Sequence, residues 1–121
     1  MPASGIPYFL PIADISEVGQ SSRMGEDWSD EELEICVLQY WKACKNGGQS
    51  HEVDRSAFVK GALRAGLKSR GEGSVQRRMC NLSAIMELHG KPPVMGWKPL
   101  PNVGANMTPK IEAMMRERGL I

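Results

Sequence analysis

Beyond residue 28 apolar residues return at intervals of three and four, a spacing that predicts helices rather than strands. Leu33, Cys36, Val37, Tyr40, Trp41 and Cys44 form the first such stripe. It follows Ser29-Asp30-Glu31-Glu32, a capping box in which the hydroxyl and the Glu32 carboxylate each take a backbone N–H. The acids of that first turn suit the positive end of a helix dipole. Asn46-Gly47-Gly48 marks the expected end. A second helix is expected from Asp54 to about Leu67, with Val53 and Phe58 placed as a hydrophobic staple. Phe58, Val59, Ala62, Leu63, Gly66 and Leu67 make its apolar face.

The third helix is expected to be capped by Ser74 after the glycine turn Arg70-Gly71-Glu72-Gly73, and its buried line reads Val75, Met79, Leu82, Ile85, Met86 and Leu88. Gly90 and Pro92-Pro93 stop it. Residues 91–107 read as a proline and glycine loop. The last helix is expected to be capped by Thr108 with Pro109 at its first position, to bury Ile111, Met114 and Met115, and to close at Gly119 with Leu120 folding back. Residues 1–27 hold Pro2, Pro7 and Pro11 and no helical period, so an extended arm is expected there. Its apolar cluster of Ile6, Tyr8, Phe9, Leu10 and Ile12 should pack on the body. The fold class is therefore all-α: a compact bundle of about four helices over 28–121, helix-turn-helix-like in its middle pair, behind an N-terminal arm.

A chain of 121 residues suits one domain, and eight Met against seven aromatic residues imply an aliphatic, Met-rich core. No basic start leads into an apolar run, and no stretch nears the roughly 20 apolar residues of a membrane helix. Neither secretion nor a membrane is expected. Cys36, Cys44 and Cys80 are odd in number and sit in helical segments, which argues for reduced thiols and hence the cytoplasm.

The net charge of +1 conceals a segregation. Residues 1–54 carry ten acids against three bases, whereas 55–78 carry Arg55, Lys60, Arg64, Lys68, Arg70, Arg77 and Arg78 against Glu72 alone. Such a patch is an electrostatic footprint whose commonest anionic partner is nucleic acid. An acidic protein surface, or the chain's own acidic half, is the competing explanation. Lys60, Arg64 and Lys68 stand four apart and should present one basic ridge suited to phosphates.

Catalytic chemistry finds no framework. His51 and His89 lack a neighbouring nucleophile motif, the acids at 30–34 are accounted for by helix capping, and the Cys and His residues have no metal-ligand spacing. No cofactor is expected and the chain is read as no enzyme. More specific is the helix opening at residue 74, whose first turns hold Ser74, Gln76, Arg77, Arg78 and Asn81. Arginines near the positive end of a helix oppose its dipole, which favours a binding role over simple solvation. Side chains there can reach phosphates and base edges if the helix enters a groove.

Trp28-Ser29-Asp30-Glu31-Glu32, Tyr40, Arg70-Gly71-Glu72-Gly73-Ser74-Val75-Gln76, Asn81-Leu82-Ser83-Ala84-Ile85 and Gly96-Trp97-Lys98-Pro99 occur in that order. Over about residues 28–118 the chain resembles a small helical module of bacterial proteins, which often precedes an HNH nuclease or another restriction-associated domain and is thought to contact DNA. The resemblance implies DNA-binding roles for Arg70, Ser74, Gln76, Arg77, Arg78 and Asn81, and structural ones for Trp28, Tyr40 and Trp97. Asn81 has a second reading, as a buried amide bonded to a loop backbone. With no nuclease domain attached, cutting is not implied, and a separate nuclease is a candidate protein partner.

These lines converge on a non-catalytic domain reading duplex DNA through residues 55–78. In it the third helix reads, the second holds phosphates, and Arg55, Lys60, Arg64 and Lys68 supply charge. The alternative is a protein-interaction adaptor that docks through the acidic first helix or the arm.

Overall fold

Ser29 opens the first helix with both halves of the capping box: its Oγ accepts the Glu32 N–H at 3.1 Å, and Glu32 Oε1 accepts the Ser29 N–H at 2.9 Å. The computed structural model describes residues 28–121, so the arm expected at 1–27 lies outside the described residues. Those described form four helices and no strand: α1 (Asp30–Lys45), α2 (Arg55–Ala62), α3 (Glu72–Leu88) and α4 (Thr108–Glu117). Helix α1 is the hub and packs on each of the others.

Three helices end alike. The N–H groups of Gly48, Lys91 and Leu120 bond the carbonyls of Ala43, Met86 and Met115, and those of Gly47, Gly90 and Gly119 bond Cys44, Glu87 and Arg116. This is the Schellman pattern, which closes a helix at glycine and turns the next residue back. Leu120 is buried by that turn, as its position after Gly119 foretells.

Elsewhere the chain departs from the expected pattern. Helix α3 starts earlier than Ser74, because Gly71 takes the cap position and carries no side chain to bond the first turn. Ser74 thus lies inside the helix. Thr108 does not cap α4 either, since the backbone already coils at Met107 and the Thr108 hydroxyl donates back to the Gly104 carbonyl at 2.9 Å. The second helix stays α-helical only to Ala62. Leu63–Leu67 widens into a π turn, broken at Gly66 with φ of 145°, and Lys68–Arg70 tightens into a 3-10 turn. Only glycine adopts such a φ without strain, and the break buries Leu67 completely while leaving Gly66 exposed, off the expected apolar face. The middle pair is therefore joined by a wound turn. In α3 the buried line ends at Met86, and Leu88 in the last turn is 72% exposed.

The core runs from Trp28 through Leu33, Val37, Val59, Leu67, Met79, Leu82 and Ile85 to Ile111 and Met115. At its centre the Tyr40 ring stacks on Trp97, centroids 5.7 Å apart. The Tyr40 hydroxyl shares a hydrogen bond of 2.8 Å with Ser83 Oγ on α3 and accepts the Val94 N–H at 2.9 Å. Burial pushes this phenol up to about 12. One side chain of α1 thereby ties down α3 and the loop after it. Tyr40→Phe keeps the stacking but orphans a buried hydroxyl and a buried amide. It should lower unfolding stability by about 1–3 kcal/mol in urea titration, with the helical circular dichroism spectrum unchanged.

Candidate nucleic-acid interface

Of the residues expected to meet nucleic acid, Lys60, Arg64, Lys68, Gln76 and Arg77 are exposed. Lys60 stands on α2, Arg64 in the π turn and Lys68 past the break at Gly66, so the three do not form one straight helical ridge. Among the described residues none of these four cations is ion-paired; the pairs are Arg70–Glu32, His89–Glu112, Lys110–Asp30 and Arg118–Glu34.

Four other residues expected at the interface are engaged inside the protein. Arg70 grips Glu32 in a fork, Nη2 to Oε1 at 2.7 Å and Nε to Oε2 at 3.1 Å. Its guanidinium lies 4.7 Å from the centre of the Trp28 ring, as does that of Arg78. Arg78 is buried and donates from Nη1 to Asn81 Oδ1 at 3.2 Å, while Asn81 Nδ2 donates to the Leu100 carbonyl at 2.6 Å. Asn81 is thus the buried amide bonded to a loop backbone. Burial draws the Arg78 guanidinium below its usual value, yet an arginine starts so high that it stays charged at neutral pH. Arg55 donates from Nη1 to the Gly96 carbonyl at 2.9 Å. Gly96 has a φ of 96°, which favours glycine, and a Cβ there would force that guanidinium to shift.

Two clefts flank the start of α3, and they divide the residues that the sequence groups on one reading helix. Ser74, Arg77, Arg78 and Asn81 line a cleft of about 450 Å³ with Trp28 and the 102–107 loop. Gln76 points the other way, into a cleft of about 370 Å³ with Arg55, Ser56, Val59 and Trp97. A helical turn of 3.6 residues puts 74, 77, 78 and 81 on one side and 76 on the other. Asn102 and Asn106 were missed by the sequence reasoning. They bracket Gly104 in a segment whose composition signals only a loop, and nothing in their spacing shows that it folds against α3.

The three cysteines are free thiols. Burial pushes Cys36 up to about 12 and Cys44 to about 11, and raises Cys80 as well, which suppresses thiolate chemistry. Among the described residues no three of His, Cys, Asp and Glu gather as metal ligands. Compared with protein-family models, curated proteins and solved structures, the chain matches none.

The hydrogen bond from Arg70, opposed by burial and aided by Ser29, holds the Glu32 carboxyl below its ordinary value of 4.5. A carboxyl lowered in the folded state contributes stability that is whole above the ordinary value and is lost as pH falls through the lowered one. Glu32→Gln should therefore destabilise the protein at neutral pH by about 1–2 kcal/mol, more than a typical surface pair because the fork is bidentate and mostly covered. In denaturant titrations the gap from the unsubstituted protein should close as pH drops below 4.5.

Proposed function

We infer that this chain is a non-catalytic domain that binds duplex DNA through its 55–78 segment. The observation that carries the reading is the exposure of Lys60, Arg64, Lys68 and Arg77 without an ion pair among the described residues. Among the described residues the rival account, neutralisation by the chain's own acids, reaches Arg70 but not these four. Asp30, Glu32 and Glu34 of α1 are engaged instead by Lys110, Arg70 and Arg118. Unbalanced cations on a folded surface attract a polyanion and release its counterions. Lys60 and Arg64 act on phosphates, and Arg77 and Gln76 stand where a helix side chain meets bases or sugar edges. The bacterial restriction setting follows from the resemblance alone, which makes a separate nuclease the protein partner in this reading. A cytoplasmic location accords with three free thiols. No described helix is long and apolar enough to cross a membrane.

Fluorescence anisotropy with labelled duplex across a salt series tests the reading. Log affinity should fall linearly with log salt, and Lys60→Ala or Arg64→Ala should flatten the slope by about 0.9 for each phosphate no longer neutralised. Arg77→Ala should cost on the order of 1–3 kcal/mol on a preferred sequence and less on random DNA. Arg78→Ala should act mainly through stability, since the side chain is buried. Absence of salt-sensitive binding to any nucleic acid would transfer the assignment to the adaptor role, with the acidic face of α1 as its docking surface.

A further inference from the structure

The cleft between α3 and the 102–107 loop gathers cationic, amide and hydroxyl side chains. Its walls include the guanidinium groups of Arg77 and Arg78, the Ser74 hydroxyl and the amides of Asn102 and Asn106, with no carboxylate. Its volume of about 450 Å³ lies within the roughly 300–1,000 Å³ of small-ligand clefts. A bare phosphate would leave most of it to water. Val103 and Met107, both half-buried and packed on the core, add an apolar wall. Among the described residues the side chains of Asn102, Asn106 and Ser74 make no hydrogen bond. Each Asn amide carries a donor and an acceptor side by side, the pattern that matches the edge of a base. Hydrogen bonds tie the floor to the loop, because Arg78 bonds Asn81 and Asn81 bonds the Leu100 carbonyl.

We propose that this cleft holds a single unstacked nucleotide, its phosphate on Arg77, its base against Val103 and Met107, and its base edge on Asn102 and Asn106. The shared chemistry is a nucleoside monophosphate unit. Within DNA it is a bulged or extruded nucleotide, whose unstacking costs least where pairing is already absent. This deepens the DNA-binding reading and rests on it.

The test uses the full chain and two labelled DNAs of one sequence, a perfect duplex and a duplex with one bulged nucleotide, each of the four bases being tried in the bulge. The monophosphates of the four deoxynucleosides are titrated separately and followed by amide chemical shifts. At least one bulged duplex should bind about tenfold tighter than the perfect one. The Asn102→Ala/Asn106→Ala double variant should abolish that preference and leave the perfect duplex unaffected, whereas Lys60→Ala weakens both DNAs alike. Equal binding of all duplexes with a silent Asn variant overturns the cleft proposal and leaves DNA binding standing. If no DNA binds but monophosphates shift the amides of residues 102–107, the DNA reading falls and the cleft stands as a site for free nucleotides. No response to either sinks both.

Discussion

The fork between Arg70 and Glu32, laid against Trp28, is the constraint on which the candidate site depends. Glu32 Oε1 accepts from the Ser29 amide and from Arg70 Nη2 at once. One carboxylate thus caps the start of α1 and anchors the 3-10 turn that follows α2. Gly71 comes next, so the fork also sets where α3 begins. Within the first two turns of α3, Arg78 returns to the same tryptophan and bonds Asn81, whose amide reaches the Leu100 carbonyl. The loop after Leu100 is thereby drawn across the start of α3, and the 450 Å³ cleft is the space left between them. Isolated surface ion pairs contribute about 0–1 kcal/mol. This one has greater consequence because its geometry is bidentate and two chain segments hang on it.

The same cluster divides the cations by task. Arg70 and Arg78 are committed to Trp28, and Arg55 to the Gly96 carbonyl. Lys60, Arg64, Lys68 and Arg77 remain on the surface with no partner among the described residues. The acids of α1 are largely occupied with Lys110, Arg70 and Arg118. Internal pairing thus leaves the 55–78 segment positive where it meets solvent, the condition for drawing in a polyanion. Gln76 and Arg77 are neighbours in sequence, yet they face different clefts.

Much of the fold was legible because the forces concerned act over a few residues. The Ser29 box, the Asp54 cap that accepts from Ala57, and the glycine closures after α1, α3 and α4 are bonds between residues at most five apart. The stripe along α1 is equally local. Ser74 and Thr108 failed as caps for a reason of the same kind: good capping residues compete with glycine and with a chain already coiled, and composition alone does not decide between them. The π turn at Leu63–Leu67 was hidden because Gly66 fits a helical apolar face as readily as a break.

The candidate site was legible in its charge and not in its contacts. The sequence by itself determined the all-helical class, the four segments and the acidic and basic halves, whereas packing left only Lys60, Arg64, Lys68 and Arg77 of the seven cations in 55–78 exposed. Tertiary structure alone decided that Arg70 would meet Glu32 across 38 residues, that Asn81 would turn inward to Leu100, and that Asn102 and Asn106 would face Arg77. Side-chain type states what a residue can bond. Which partner arrives depends on where distant segments pack, and here that packing is set by the burial of Trp28, Tyr40 and Trp97.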